Sequence, residues 1–351
     1  MSLAFISAEN IRCLEQVELD LHPARNLIWG ANGSGKTSLL EAIFLLGRGR
    51  SFRTRSTERL IRHGAQALTV FGRTVTPERS LGLQALRGGG TTAKIGGVFV
   101  SSLAELSQAF PVQVIDPAVH KLVEESGARR RRWMDWAVFH VEHGFIEVWT
   151  RYSRALQQRN AALRDDPAQA AAWDAELVRL GEALTESRRR SLEQLQPCWR
   201  EMVCKLLGRE VDLTYSQGWA RDSTFADALH ASRARDAARG ITHVGPHRAD
   251  VHLRLDGFPA REVASRGQQK LIAVAMILSQ LTMLREVFAT SPTLLLDDPA
   301  AELDAARLAA FIDQVLRLRC QLVVTSLGPD AVIFQAPDRM FHVEQGRVGP
   351  V

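Results

Sequence analysis

Gly30-Ala-Asn-Gly-Ser-Gly-Lys-Thr37 spells G-x-x-x-x-G-K-T, the pattern of a phosphate-binding loop, or P-loop. Its glycines let the backbone curl so that successive N–H groups point at β- and γ-phosphate oxygens. Lys36 adds a mobile positive charge, and the Thr37 hydroxyl is a hard oxygen ligand suited to Mg²⁺. Gly30, Ala31, Asn32, Gly33, Ser34, Gly35 and Ser38 complete the cradle. A chance glycine turn is the competing explanation; with glycine at about 7% of residues, its odds are roughly one in a hundred. Thr293-Leu-Leu-Leu-Asp297-Asp298 supplies the acids such a loop needs. Asp297 is placed to hold Mg²⁺, directly or through water, and Asp298 to orient or deprotonate an attacking water. A strand ending in aspartate is common alone and specific beside a P-loop. Ser265-Arg266-Gly267-Gln268 opens a helix, so its serine hydroxyl, glycine N–H and helix dipole make a second phosphate site.

The elements around these residues agree with that chemistry. Asn26–Trp29 reads as a strand entering the P-loop, and Ser38–Leu46 as the helix leaving it. Residues 3 to 29 read as edge strands, with Ala4, Ile6 and Ala8 on one phase and Val17, Leu19 and Leu21 on another. Residues 67 to 100 look like β-structure, and Val112–Asp116 is a short strand ended by Pro117. From 118 to 207 helix formers dominate: Val148, Tyr152, Leu156 and Leu163 fall at helical spacing, as do Trp173, Leu177, Leu180 and Leu184. Asp165-Asp-Pro167 breaks the two segments into an antiparallel pair. A strand at 211–215, a helix at 224–238 and a strand at 251–255 come next. The helix from Gly267 to Phe288 is apolar all round in its middle and is expected to be buried. Helix 304–318 lies between strands at 293–297 and 321–325, and a last strand falls near 340–343. Strands alternating with helices predict an α/β fold with a parallel-rich sheet. Three segments follow: 1–117 and 208–351 as the two parts of one lobe, and 118–207 as an inserted helical arm.

The 351 residues are 46% hydrophobic, enough for a lobe and an arm with real cores. No apolar run reaches membrane-spanning length, and the N-terminus lacks the pattern of a signal peptide. Cys13, Cys198, Cys204 and Cys320 form no C-x-x-C pair, which suits a reducing cytoplasm and argues against zinc. The net charge is +5, carried almost wholly by arginine. GC-rich coding explains the preference for arginine over lysine but not the positive excess, which points to a polyanionic partner. The runs Arg129–Arg132 and Arg188–Arg190 are candidate phosphate contacts, and the loop Arg48–Arg55 is basic and carries one aromatic. A solvated helix face is the simpler explanation of each run.

The P-loop, the late serine loop and the acidic strand together resemble the ABC-type ATPases. A helical insert between P-loop and serine loop resembles the chromosome-maintenance and recombinational-repair branch. Within it the chain is similar to the RecF family. That resemblance rests on Gly30–Ser38, Ser51-Phe-Arg53, Gln158–Leu163, Gly245-Pro-His-Arg-Ala-Asp250, Ser265–Gln268, Leu294–Asp298 and Glu302-Leu-Asp304, in the family's order along essentially the whole chain. It implies an ABC-type ATPase head with a mixed sheet and flanking helices, plus the arm. It further implies a cytoplasmic ATP-binding protein that binds DNA, dimerises with ATP and hydrolyses it slowly under DNA stimulation. Such a protein acts with RecO and RecR to load RecA at single-stranded gaps. The Ser265 loop of a second copy would close the nucleotide site. By motif position, Gln113 resembles the loop glutamine that senses Mg²⁺, and Thr325 occupies the place of a switch histidine. Asp298 is shorter than the glutamate of fast ABC ATPases, in keeping with slow turnover. Cys13 and Ala264 stand where the family usually has asparagine and leucine. A transport-energising subunit would place P-loop and serine loop much closer. A binding module with vestigial hydrolysis is disfavoured by intact Lys36, Thr37, Asp297 and Asp298. No N-K-x-D guanine motif is present, so ATP is preferred to GTP.

Overall fold

The P-loop strand and helix lie where one compact unit of the chain concentrates its apolar residues. The computed structural model describes residues 2–54, 56–142, 144–288, 292–300, 303–329 and 337–350. The chain divides into two compact units, Met1–Val119 with Arg285–Val351, and His120–Leu284. The expected arm, 118–207, is therefore part of a longer unit that also takes in strands and the Ser265 loop.

The first unit opens with β1 (Leu3–Ile11), β2 (Leu14–Asp20), β3 (Arg25–Trp29), α1 (Lys36–Arg48), β4 (Ala67–Thr74), β5 (Arg79–Leu86), β6 (Thr91–Ile95), β7 (Val98–Phe99), α2 (Ala104–Ala109) and β8 (Val112–Ile115). One sheet is antiparallel, in the order β2-β1-β4-β5-β6-β7. The expectation of edge strands over residues 3 to 29 holds for β2 only. β1 lies between β2 and β4, and β3 belongs to another sheet altogether. The reason is visible in β3, where Asn26, Leu27 and Ile28 are all buried, as in a strand covered on both faces. Helix α1 is buried on nearly every face, and Leu39, Leu40, Ile43, Leu45 and Leu46 are fully enclosed. These residues share one apolar cluster with side chains of both sheets. Each such leucine or isoleucine contributes about 2 kcal/mol of burial, so the P-loop's trailing helix is anchored firmly.

The second unit contains α3 (Lys121–Glu124), α4 (Gly127–Val141), α5 (Phe145–Asp165), α6 (Asp174–Leu207), β9 (Val211–Ser216), α7 (Phe225–Arg239), β10 (Asp250–Leu255), β11 (Phe258–Pro259), α8 (Ala260–Val263) and α9 (Arg266–Phe288), whose last residues pass the division. The helical pair forms where its spacing predicts. Tyr152, Leu163, Leu177, Leu180 and Leu184 are buried, whereas Trp173 sits in the linking 3₁₀ turn and is exposed. Asp166 caps that turn by accepting from the Ala168 N–H. Strands β9, β10 and β11 form a small antiparallel sheet. In α9, Leu271 to Leu278 are buried on all sides, as their composition predicts. Trp133 Nε1 donates to the Met276 carbonyl and Gln280 donates to that of Trp133, tying α9 to α4.

Back in the first unit are β12 (Thr293–Leu296), α10 (Ala305–Arg317), β13 (Leu322–Ser326), β14 (Arg339–Glu344) and β15 (Arg347–Pro350). The second sheet runs β15-β14-β3-β13-β12-β8. Its pairs are parallel from β14 to β8, and β15 alone is antiparallel. This is the parallel-rich mixed sheet that the alternation of elements predicts. It sets β3, which feeds the P-loop, one strand away from β12, which carries the acids.

Candidate nucleotide site

The P-loop needs its glycines for two physical reasons. Gly30 has φ +158°, and a Cβ there would meet the Val343 carbonyl oxygen at 2.2 Å. Gly35 has φ +119°, and a Cβ there would strike the Leu14 side chain at 2.9 Å. Ala31, Asn32 and Gly33 are exposed, while Ser34, Gly35 and Lys36 are buried. The Gly346 N–H, in the β14–β15 turn, donates to the Ser34 carbonyl at 2.8 Å and braces the loop from behind. That hairpin was not foreseen.

The loop carries polar groups whose hydrogen-bonding capacity is only partly used. Lys36 Nζ donates to the carbonyls of Gly30 (2.6 Å) and Ala31 (2.9 Å), leaving one of its three protons for another acceptor. Burial pulls the Lys36 ammonium below the ordinary lysine range, against the pull of Asp298 and Asp297. Ser34 Oγ is buried and has no hydrogen-bond partner among the described residues. An anion at the loop would satisfy both, so the residues present fit a phosphate.

The acids stand beside it. Thr37 Oγ1 donates to the Asp297 carboxylate, 3.0 and 3.1 Å from its two oxygens. Thr325, buried in β13, donates from Oγ1 to Asp297 Oδ1 at 2.9 Å and accepts from the Asp298 N–H at 2.9 Å. Burial raises the Asp297 carboxyl above the ordinary aspartate range, with Asp298 adding to it. The hydroxyls of Thr325 and Thr37 and the charge of Arg53 act the other way. A buried carboxylate with raised affinity for positive charge, paired with a hydroxyl oxygen, fits Mg²⁺. Asp298 adopts a left-handed backbone, φ +47°, which for a non-glycine costs about 1 kcal/mol. The Thr325 hydroxyl holds it there through its N–H. Lys36, Thr37, Asp297, Asp298 and Thr325 are thus one constellation.

Gln113 falls in the strand expected at 112–116, which sets it apart from the loop position its motif resemblance implies. It lies inside β8, buried and paired with Leu294, not on a loop after the strand. The chain leaves the strand only after Ile115, whose carbonyl accepts from the Asp297 N–H at 2.9 Å. Glu302 lies outside the described residues; Asp304 accepts from the Arg307 N–H and caps α10.

Sequence reading missed a second polar cluster. Glu41, one turn beyond Thr37 on α1, is fully buried. Arg12 grips it with two donors, at 3.0 and 3.1 Å, Ser51 donates to it, and Arg53 lies 3.6 Å away. The available signal is a carboxylate inside the apolar run Leu39-Leu40-Glu41-Ala42-Ile43, since a buried charge demands a partner.

The Ser265 loop, in the other unit, is built differently. Ser265 and Arg266 are exposed. The Ser265 N–H donates to Gln268 Oε1 at 2.8 Å, and the Gln268 N–H donates to Ser265 Oγ at 3.3 Å. This reciprocal pair is a capping box that starts α9. Gly267 is half-buried.

Most of the arginines expected to meet phosphate are taken by carboxylates. Arg130 binds Asp250 with two donors, at 2.8 and 2.9 Å, and Arg188 binds Asp135 at 2.8 and 3.0 Å. Arg129 pairs with Glu125, Arg189 with Glu186 and Glu193, and Arg190 with Glu142. Those that are buried face inward because α4 and α6 turn them toward acids of the same unit. Among the described residues no helix is long and apolar enough to cross a membrane.

Residues 2–349 match the family model described as RecF/RecN/SMC N terminal domain. The chain is 37% identical over 356 residues to the DNA replication and repair protein RecF of Shewanella sp. (strain MR-4), covering 99% of both chains. It is similar, at 25% identity and a TM-score of 0.90, to a structure of the recombination mediator protein RecF-ATP in the RecFOR pathway, covering 100% of this chain and 97% of that one. An SMC head bound to the C-winged helix domain of ScpA shares the fold, at 16% identity and a TM-score of 0.61, with 100% and 97% covered.

Proposed function

This chain belongs to the RecF family, and from that premise we propose that it is an ATP-dependent DNA-binding protein of recombinational repair and replication. The observation that carries the reading is the meeting of Thr37 and Asp297 at 3.0 Å beside a P-loop with an unsatisfied serine and a partly satisfied lysine. Gly30 to Ser38 cradle the polyphosphate of ATP, and Lys36 neutralises its oxygens. Thr37 and Asp297 are the protein ligands of Mg²⁺, which when bound draws charge from the phosphate oxygens. Gln113 is left out of that set because it sits inside β8. Asp298 orients the attacking water through its carboxylate, and Thr325 positions both acids. Departure of the γ-phosphate places negative charge near Lys36, whose positive charge stabilises it.

Half of the cage is missing from this set. The Ser265–Gln268 loop of a second copy supplies it, so ATP acts as the clasp of a homodimer and slow hydrolysis as its release. RecO, RecR and RecA are the expected partners, and the cytoplasm the expected location. The related structure of RecF-ATP in the RecFOR pathway supports the ATP and pathway assignments. ATPase rate with and without DNA, in wild type and Lys36→Arg, tests the reading. DNA is expected to raise a slow wild-type rate and to leave the variant near zero. A wild-type rate indifferent to DNA overturns it.

A further inference from the structure

Two arginines in the second unit escape the pairing that consumes their neighbours. The segment Pro246 to Asp250 is grasped by three guanidinium groups from two helices. Arg188 Nη1 donates to the Pro246 carbonyl at 2.7 Å, Arg131 Nη1 to that of Ala249 at 2.7 Å, and Arg130 to the Asp250 carboxylate. Arg248, inside the segment, donates to the Thr242 carbonyl at 3.2 Å. Four guanidinium groups thus converge on one short stretch. Two carboxylates answer them, Asp250 for Arg130 and Asp135 for Arg188. Among the described residues neither Arg131 nor Arg248 has an ion-pair partner. Arg131 is half-buried and Arg248 is exposed. Burial first, then the charges of Arg188 and Arg248, hold Arg131 below the ordinary guanidinium range, while Asp250 and Asp135 act the other way.

Positive charge without a direct ion-pair partner is costly in a partly buried setting such as that of Arg131, and an incoming anion relieves it. Among the described residues each guanidinium makes one carbonyl contact, and the remaining donors suit phosphate oxygens. Arg248 is exposed, so a phosphate carried on a larger polyanion can reach it. We propose that Arg131 and Arg248 form a phosphate subsite that takes a backbone phosphodiester of DNA. The assignment rests on the DNA-binding reading above and names where that reading acts in this unit. Contact with phosphate positions the duplex without reading its bases.

Fluorescence anisotropy of a labelled DNA duplex, titrated with the full chain across a range of KCl, tests it. Arg248→Ala and Arg131→Gln are each expected to weaken binding about threefold to tenfold and to lower the slope of log K against log salt by about one. Arg189→Ala removes an arginine already held by Glu186 and Glu193, and both quantities are expected to stay at wild-type values. Arg131 also supports the Ala249 carbonyl, so the exposed Arg248 is the decisive position. Arg248→Ala with wild-type affinity and slope overturns the assignment alone. A wild-type chain with no salt-dependent DNA binding overturns the reading and the assignment together.

Discussion

In the first unit Lys36 donates to carbonyls of its own loop, and the Ser34 hydroxyl has no partner among the described residues. In the second, Ser265 and Gln268 cap each other, and Arg130, Arg159 and Arg188 are each locked to carboxylates. Both units place a serine–glycine turn at a helix start. One keeps its polar groups for a ligand, and the other spends most of them on itself. The difference separates binding from stability: substitutions at the first site should change nucleotide affinity, and those at buried pairs of the second should change folding.

The sharpest break of that contrast is Arg159→Ala. Arg159 is 1% exposed and holds Asp236, Asp174 and the Thr242 hydroxyl, each at 2.8 Å. Its loss leaves Asp236 buried without its cation, and thermal or urea unfolding is expected to show a loss of about 3 to 5 kcal/mol. Unchanged unfolding would mean that these pairs are not what holds the second unit.

Next in size is Lys36→Ala, which should lower ATP affinity about a hundredfold in calorimetric titration, since charge-assisted contacts of about 3 kcal/mol are lost. Ser265→Arg should leave binding to the monomer within about twofold, as expected of an exposed helix cap outside the P-loop. The same variant should abolish ATP-dependent dimerisation in sedimentation. Lost ATP binding by Ser265→Arg would erase the distinction between the two loops.

His247 tests the second unit through pH. Burial holds its imidazole down to about 4, helped by Arg248 and Arg131 and opposed by its contact with the Thr242 carbonyl. Below the ordinary value of about 6.5 the unfolded chain takes up a proton that the folded chain refuses. Stability is therefore full above about pH 6.5 and falls by up to about 3 kcal/mol as pH drops toward 4. His247→Gln should flatten that slope in melts between the two pH values. A wild-type slope in the variant would assign the effect to other groups.

The smallest effect is expected at Thr325. Thr325→Val leaves the Asp298 N–H without its acceptor, a loss of about 1 to 2 kcal/mol that should slow ATP turnover about tenfold. Thr325→Ser keeps the hydroxyl and should restore most of the rate. A wild-type rate in Thr325→Val would show that the hydroxyl is not what matters.

The P-loop, the acidic strand and the α5–α6 helical pair could be read from the chain because each is a local pattern: glycine spacing, an apolar run ending in acid, a heptad-like stripe. Partnership is not local. Glu41 meets Arg12 across 29 positions and Thr37 meets Asp297 across 260, and only the order of strands in the mixed sheet brings the latter pair together. The same limit applies to Gln113: motif position alone gave it a loop glutamine's role, while register with Leu294 sets it within the strand that the apolar pattern at 112–116 predicts. It explains the arginine runs as well. Arg129 to Arg132 read as a positive patch, yet whether each cation faces solvent, Glu125, Asp250 or a carbonyl depends on which acids the fold carries to it. Residue types along the chain set which chemistry is possible. Distance and burial, which decide whether a charge is cancelled or left for a ligand, arise only when segments far apart in the chain are packed together.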